Sequence, residues 1–184
     1  ERIKQIIVNM ERWRWLPNDL GARSVLVNQA GFEMYLTDKG KVIDRRRVIV
    51  GKPFHATPMF SDRIGYAEFN PTWTVTPDIA KAEFLPKLIE DPGYLAANDY
   101  FIYSGWAEGA PQIDPYAVDW KSIKGKFPYR IVQQPGPKNA LGVVKFMFPN
   151  KFNIYLHDTP SRQLFAKTGR AFSHGCIRVH KPME

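Results

Sequence analysis

Apolar residues recur every three or four positions near the start of the chain, a spacing that predicts an amphipathic helix over residues 2–15. Its apolar face consists of Ile3, Ile6, Ile7, Met10 and Trp13. Pro17 ends the helix, because proline cannot continue a hydrogen-bonded helical turn. We expect Trp13 and Trp15 to pack into the core, together with Trp73 and Pro71.

The pattern that follows is typical of β-structure. Polar and apolar residues alternate from Phe32 to Leu36, as in a strand with one buried face. A turn at Lys39 and Gly40 then joins two antiparallel strands into a hairpin. The strands predicted in this way are residues 24–29, 32–37, 42–50, 64–69, 72–75, 100–103, 129–134, 143–148 and 153–157. The fold is therefore expected to be mainly β.

Residues 78–130 differ in character from the sequence on either side. A helix is predicted from Pro77 to about Glu90, although Pro86 weakens its middle. Nine of the chain's 25 aromatic residues fall between residues 94 and 129. This concentration predicts either a small core belonging to the segment or an aromatic face that closes over a binding site.

The composition is that of a folded domain, with 44% hydrophobic and 24% charged residues in 184. The formal net charge of +8 favours acidic partners, which include nucleic acid, anionic lipid and cell-wall polymer. No signature of a nucleic-acid-binding module is present, so nucleic acid is not expected as a partner. No apolar run approaches the ~20 residues of a transmembrane segment. A chain that starts at Glu1 without methionine is expected to be a mature or excised fragment.

Candidate chemistry centres on the single cysteine, Cys176, which follows Ser173, His174 and Gly175. A thiol is a good nucleophile as thiolate, and a nearby histidine such as His157, nineteen residues upstream, can remove its proton. Gly175 permits a sharp turn, so that the N–H groups of Gly175 and Cys176 can stabilise an oxyanion. A free cysteine is more commonly a small buried hydrophobic residue, but the surrounding residues here favour a nucleophile.

The order of these residues resembles the signature of the L,D-transpeptidases of the YkuD type. That signature is a histidine, a spacer and then Ser or Thr, His, Gly and Cys, followed by a hydrophobic residue and Asn or Arg. Here it runs from His157 to Arg178. Residues 24–77 and 131–180 carry the resemblance, which is closest to the larger Gram-negative members with an insertion between the two blocks.

The resemblance implies a discontinuous catalytic domain formed by residues 1–77 and 131–184. Its fold is a twisted β-sandwich with an N-terminal helix. Residues 78–130 correspond to an inserted α/β subdomain that caps the site as a lid. Resembled domains continue with a helix and a further strand after the motif, so this sequence, which ends at Glu184, is expected to be truncated.

The resemblance also implies roles for the candidate residues. Cys176 attacks a peptide carbonyl and forms a thioester, and His157 takes the thiol proton and passes it to the leaving amine. His174 competes for that role, since it shares a face with Cys176 if the stretch between them is extended. We favour His157 as the base, with His174 shaping the site or contacting substrate.

Three further residues are candidates for substrate binding, and each has a structural alternative. Tyr155, on the same strand face as His157, lines the pocket or belongs to the core. Ser173 bonds a histidine or caps a turn, and Arg178 binds a substrate carboxylate or forms a structural ion pair.

A metal site is the remaining interpretation of these side chains. The soft side chains that could serve as ligands are those of His157, His174, Cys176 and His180. Their spacing lacks the paired units typical of metal sites, so no metal is expected.

The function that the resemblance implies is acyl transfer in peptidoglycan. Cys176 attacks the third residue of a tetrapeptide stem, D-alanine leaves, and the side-chain amine of a neighbouring diamino acid resolves the thioester into a 3→3 cross-link. No cofactor is needed, carbapenem β-lactams are expected to acylate the same cysteine, and the protein is expected in the periplasm. The alternatives are an L,D-carboxypeptidase, which hydrolyses the same acyl-enzyme, and a non-catalytic wall-binding module.

Overall fold

A computed structural model describes residues 1–17 and 19–184 and has a mainly β fold with an N-terminal helix and few other helices, which confirms the expected fold class. The strands are β1 (Arg23–Asn28), β2 (Glu33–Asp38), β3 (Lys41–Gly51), β4 (Tyr66–Phe69), β5 (Trp73–Thr74), β6 (Tyr100–Tyr103), β7 (Arg130–Gln133), β8 (Val144–Met147), β9 (Leu156–His157), β10 (Ala171–Ser173) and β11 (Ile177–Val179). The α-helices are α1 (Arg2–Arg14), α2 (Pro77–Ile79), α3 (Leu85–Glu90) and α4 (Tyr94–Ala97). A π-helical turn spans Ala80–Phe84, and 3₁₀ turns span Pro53–His55, Pro115–Ala117, Trp120–Ser122 and Arg162–Ala166. Among the described residues, no helix has the length and apolar character needed to cross a membrane.

The strands form two sheets. The larger has eight strands in the order β1-β2-β3-β11-β9-β8-β4, with β10 also paired to β3. The smaller has three strands in the order β5-β7-β6. The successive strands β7 and β8 therefore lie in different sheets, and the chain passes from one sheet to the other between them.

The first three strands form an antiparallel meander. Only Lys39 and Gly40 connect β2 to β3, and both have positive φ angles, 47° and 77°. A two-residue connection with two positive φ angles matches the twist of the flanking strands. The predicted hairpin is therefore confirmed, together with the turn that forms it.

The sequence pattern does not predict β10 or β11, because strands of three residues are too short to show an alternating period. It also predicts too long a strand before His157. Asn153 has a φ of +54°. The side chain of Asn150 accepts a hydrogen bond from the Ile154 N–H and donates one to the Ile154 carbonyl. These features turn the chain just before β9 and shorten the strand.

Each sheet has its own hydrophobic cluster. The larger sheet buries Val48, Val50, Phe148, Ile154, Leu156, Ile177 and Val179. The smaller sheet and its helices bury Val75, Ala80, Phe84, Leu85, Leu88, Leu95, Ile102, Trp120, Phe127 and Ile131. Each large apolar side chain removed from water contributes roughly 1.5–3 kcal/mol, so each cluster is a substantial stabilising unit. Most of the second cluster comes from residues 78–130.

The helical stretch from α2 to α3 confirms the predicted helix but contains an irregularity next to Pro86. Proline has no N–H, and its ring collides with the carbonyl four residues back in an α-helix. The chain accommodates Pro86 through the π-helical turn Ala80–Phe84, after which the Leu85 N–H donates to the Ala80 carbonyl five residues earlier. Glu83 lies within this wider turn.

Helix α1 forms as predicted, but its apolar face does not join the core. None of its residues is buried, and Trp13 and Trp15 are 61% and 67% exposed. The expectation that these two tryptophans pack into the core is wrong. Pro71 is buried, and Trp73 packs against the cluster of the smaller sheet. Periodicity identifies the apolar side of a helix but carries no information about what covers that side.

Candidate active site

Three neighbouring strands of the larger sheet bring the candidate residues to one face. Lys145 pairs with His157 across β8 and β9, and His157 pairs with Arg178 across β9 and β11. Paired residues project from the same face of a sheet, and so do residues two positions apart on one strand. Tyr155 and Cys176 lie just before β9 and β11, and their contacts place them at the same site. The Tyr155 ring packs against that of His157, and Tyr155, Lys145 and Arg178 all lower the pKa of the Cys176 thiol.

The Cys176 side chain is half-buried, and its Sγ lies 3.6 Å from the Asn153 carbonyl oxygen, to which the thiol donates. Burial raises the pKa of the thiol above its ordinary value. Contacts with Tyr155 and the positive charges of Lys145 and Arg178 act in the opposite direction. Because burial dominates, the resting side chain is a neutral thiol that ionises readily only when a base removes the proton.

His157 is buried, and its Nδ1 hydrogen-bonds the carbonyl oxygen of Asp158. Burial lowers the pKa of His157 to about 3, with a contribution from the positive charge of Arg178. The ring is therefore neutral near pH 7. The backbone groups of Asp158 and Leu141 both favour the protonated ring but do not outweigh burial. A carbonyl can only accept a hydrogen bond, so the bond to Asp158 puts the proton on Nδ1 and leaves the lone pair on Nε2. This is the tautomer that a general base requires.

His174 points to a different partner. Its Nε2 lies 2.8 Å from Oε1 of Glu83, in the π-helical turn, and its ring is 5.2 Å from that of His55. Burial lowers the pKa of His174, although Glu83 opposes this effect. Gly175 has a φ of +120°, so the stretch from His174 to Cys176 is not extended. The condition under which His174 would share a face with Cys176 is therefore not met.

The turn between β10 and β11 is held by side-chain hydroxyl groups. Ser173 Oγ donates to the Cys176 carbonyl at 2.6 Å and accepts from the Gly175 N–H at 3.1 Å. Thr57 Oγ1 donates to the Gly175 carbonyl at 2.6 Å. The Gly175 N–H is thus already engaged within the turn. No acceptor for the Cys176 N–H occurs among residues 1–17 and 19–184.

Arg178 carries its charge into a largely buried position. Burial lowers the pKa of its guanidinium, while Cys176 and Glu83 raise it. Its Nε is buried without a hydrogen-bond partner in the described part of the chain.

No cluster of metal-ligating side chains is found among residues 1–17 and 19–184. His180 lies apart from the others, with its ring 5.0 Å from that of Phe165.

Four residues near the site were not selected from the sequence. Thr57 and His55 come from the loop after β3, Glu83 from the π-helical turn, and Lys145 from β8. Thr57 lies in the stretch 51–58, which carries part of the family resemblance, and that stretch was the available signal. Lys145 and Glu83 have no local signal, because only strand pairing and the path of residues 78–130 bring them to this face.

Comparisons of this chain with a family model and with a known protein both point to the L,D-transpeptidases. A family model for the L,D-transpeptidase catalytic domain, YkuD, matches residues 22–183. A Haemophilus influenzae protein provisionally named an L,D-transpeptidase is 35% identical over 178 residues, which cover 97% of this chain and 35% of that protein. The chain therefore spans well under half the length of this relative.

Two solved structures are also similar. An L,D-transpeptidase from Mycobacterium smegmatis is 12% identical with a TM-score of 0.43, covering 87% of this chain and 50% of that one. The avibactam carbamoyl enzyme of Ldtfm is 15% identical with a TM-score of 0.42, covering 87% of this chain and 41% of that one.

Proposed function

The chain belongs to the family of L,D-transpeptidase catalytic domains, and from this premise we propose that it forms 3→3 cross-links in peptidoglycan through a thioester on Cys176. The observation that carries the proposal is one site that combines a thiol with a neutral histidine whose Nε2 carries the lone pair that a base requires. The family acts on the bacterial cell wall, and the periplasm is the compartment we propose.

The first half of the reaction releases D-alanine. His157 Nε2 takes the proton of the Cys176 thiol as sulfur bonds to the carbonyl carbon of the third stem residue. The carbonyl oxygen becomes an oxyanion, and the Cys176 N–H is the available donor for it. The intermediate collapses, the C–N bond breaks, and His157 returns its proton to the departing amine. A thioester remains on Cys176.

The second half restores the thiol. The side-chain amine of a diamino acid on a neighbouring stem attacks the thioester carbonyl, and His157 takes a proton from that amine. The C–S bond then breaks, sulfur regains its proton, and a new amide bond links the two stems. Attack by water instead of the amine would make the protein an L,D-carboxypeptidase.

The charge around the thiol suits an anionic substrate. The positive charges of Lys145 and Arg178 lie close enough to Cys176 to lower the pKa of its thiol, and peptidoglycan stems carry carboxylates. Arg178 is our candidate for binding a stem carboxylate, since a guanidinium matches a carboxylate with two parallel hydrogen bonds. Tyr155 packs edge-on against His157 with ring centroids 5.6 Å apart, and we assign it to the wall of the pocket.

Residues 78–130 have a position that fits a capping subdomain. They contain most of a separate hydrophobic cluster. They also contribute Glu83, whose carboxylate contacts His174 next to the nucleophile. We propose that this segment closes over the bound stem and limits the access of water to the thioester, which would favour transfer over hydrolysis.

Mass spectrometry after incubation with a tetrapeptide stem tests the proposal. The expected mass gain is that of the stem without its terminal D-alanine, located on the peptide that contains Cys176. Adding an acceptor amine should convert the adduct into a cross-linked dimer, whereas a free tripeptide alone would identify a carboxypeptidase. If the thiol is alkylated readily but never acquires the stem, the catalytic proposal is wrong and a wall-binding module becomes the better interpretation.

A further inference from the structure

A buried threonine far from Cys176 in the sequence contacts the turn between β10 and β11 that carries this cysteine. Thr57 is 6% exposed and follows the loop that leaves β3. Its Oγ1 accepts a hydrogen bond from the Gly51 N–H at 3.0 Å and donates one to the Gly175 carbonyl at 2.6 Å. Thr57 and Gly175 are 118 positions apart in the sequence, so this is a purely tertiary contact.

The direction of these two hydrogen bonds is determined by their partners. A backbone N–H can only donate, so the Thr57 oxygen is the acceptor for Gly51. A carbonyl can only accept, so the single hydroxyl proton points at the oxygen of Gly175. The threonine therefore holds one specific carbonyl in one specific direction.

The loop that carries Thr57 is itself firmly placed. The Lys52 N–H donates to the Ser173 carbonyl at 2.9 Å, and Gly51 pairs with Ser173 between β3 and β10. A Cβ on Gly51 would lie 2.0 Å from the His55 carbonyl oxygen, so the loop folds tightly over a residue that must be glycine. The Thr57 hydroxyl is thus attached to the larger sheet.

The orientation of the Gly175 carbonyl determines the orientation of the Cys176 N–H. The two groups belong to one planar trans peptide unit and point in opposite directions. Holding the carbonyl toward Thr57 directs the N–H away from the loop. Ser173 engages the Gly175 N–H and the Cys176 carbonyl on either side of this unit. The Cys176 N–H itself has no acceptor within residues 1–17 and 19–184, so it stays open to a ligand.

Such a clamp is needed because the turn contains a flexible residue. Glycine populates a wide range of backbone conformations, and Gly175 has a φ of +120°. Rotation about the bonds on either side of the 175–176 peptide would turn the Cys176 N–H away from its present direction at little steric cost. The hydrogen bond from Thr57 opposes that rotation.

We propose that Thr57 is a positioning residue that aims the Cys176 N–H at the oxyanion formed during acyl transfer. This inference rests on the proposed function, since only attack on a carbonyl produces an oxyanion. Thr57 does not touch the reacting atoms; it acts through the peptide unit that it holds.

Three substitutions separate the hydroxyl from the shape of the side chain. Thr57→Val keeps the branched shape and removes the donor. Thr57→Ser and Thr57→Ala both lose the methyl group and differ from each other only in the hydroxyl. If valine prevents folding, the serine and alanine pair still isolates the hydrogen bond.

Two reactions of the same thiol provide the readouts. Acylation of Cys176 by a carbapenem, followed by the mass of the intact protein, requires an oxyanion to be stabilised. Alkylation by iodoacetamide is a displacement at a saturated carbon and forms no oxyanion. We expect Thr57→Val and Thr57→Ala to acylate roughly 10- to 100-fold more slowly than wild type. This is less than the roughly 100- to 1000-fold effect of removing an oxyanion donor, because the N–H remains and is only less well aimed. Alkylation should be nearly unchanged, and Thr57→Ser should acylate at close to the wild-type rate.

The outcomes separate this inference from the function on which it rests. If Thr57→Ala acylates as fast as Thr57→Ser, the positioning role is wrong while the proposed function stands. If acylation and alkylation slow equally in Thr57→Ala, Thr57 is a general structural residue and the inference is again overturned. If the wild-type thiol alkylates but neither a carbapenem nor a tetrapeptide stem acylates it, the proposed function fails and this inference fails with it.

Discussion

Burial keeps both members of the candidate catalytic pair neutral in the resting protein. It raises the pKa of the Cys176 thiol and lowers the pKa of His157 to about 3. A preformed thiolate–imidazolium pair is therefore not the resting state, and proton transfer has to accompany attack on the carbonyl. A neutral thiol in a free cysteine is also protected from oxidation, because thiolate character controls that reaction.

Cys176→Ala should remove acyl-enzyme formation while the domain remains folded. Alanine is small and apolar like the half-buried thiol that it replaces, so we expect a change in unfolding free energy of about 1 kcal/mol or less. Intact mass after incubation with a carbapenem or a stem peptide measures the first effect, and thermal melting measures the second. Residual turnover above a few per cent of wild type would contradict the nucleophile assignment.

The buried, neutral His157 should make stability depend on pH. In the unfolded chain this histidine has its ordinary pKa of 6.5, whereas in the folded chain its pKa is about 3. Between these values the unfolded state holds more protons, so the stabilisation present above 6.5 is lost progressively as the pH falls toward 3. The melting temperature of wild type should therefore fall more between about pH 7 and about pH 4 than that of His157→Gln. His55→Gln, which removes an exposed histidine, is the control, and equal pH dependence in all three proteins would contradict the prediction.

At the scale of elements, the active-site turn depends on two short strands and the loop after β3. β10 runs parallel to β3, β11 runs antiparallel to it, and the chain reverses between them at Gly175. The turn buries the Ser173 and Thr57 hydroxyls, which bond the Gly175 N–H and the carbonyls of Gly175 and Cys176. A small element thus presents the nucleophile with little freedom of movement.

Gly175→Ala should slow acylation much more than the same substitution at a glycine in an exposed turn. Its φ is +120°, and a new Cβ would lie 3.0 Å from Ile154 Cδ1, so both the backbone and the space resist the substitution. Gly109→Ala is the matched control, because Gly109 has a φ of +77° with open space around it. Both variants should lose some thermal stability, but only Gly175→Ala should lose acylation by a carbapenem. Equal acylation rates in the two variants would show that the turn tolerates a side chain.

At the scale of the whole molecule, a small polar contact near the site joins the parts of the chain that hold the two hydrophobic clusters. The bond between Glu83 and His174 joins the segment 78–130 to the active-site turn, and both side chains are partly exposed. A contact of this kind contributes little to stability and is easily broken. We therefore expect the segment to move relative to the larger sheet together with the rest of the smaller sheet, whose cluster it shares.

Hydrogen exchange should detect this movement. Backbone amides in residues 78–130 should exchange faster than those of the buried end of β3, residues 48–51, and of β11. They should slow once Cys176 carries a carbapenem. The Cys176→Ala variant, treated with the same drug, is the control for non-covalent effects. Slow exchange throughout the segment, unchanged by acylation, would identify it as a rigid addition rather than a lid.

The local sequence predicted those parts of the molecule that local forces govern. The hairpin at Lys39 and Gly40 follows from a two-residue turn, and the helix after Pro77 follows from its apolar spacing. The same reasoning failed for Trp13 and Trp15, whose burial depends on what packs against α1. It also missed β10 and β11, which form only because β3 and β9 are already present to pair with them.

For the candidate site, too, some residues could be identified from the sequence and others only from the tertiary structure. The sequence alone selected Cys176 and His157, because a nucleophile and its base must be particular residue types and their order resembles a known signature. Thr57 was missed although its stretch, residues 51–58, carries part of the resemblance. Glu83 and Lys145 could not be selected, because common residues acquire a role only from their neighbours. The tertiary structure decided which N–H groups of the active-site turn are engaged, which partner His174 takes, and which tautomer His157 adopts. Those properties depend on distances between groups far apart in the chain, and folding alone sets these distances.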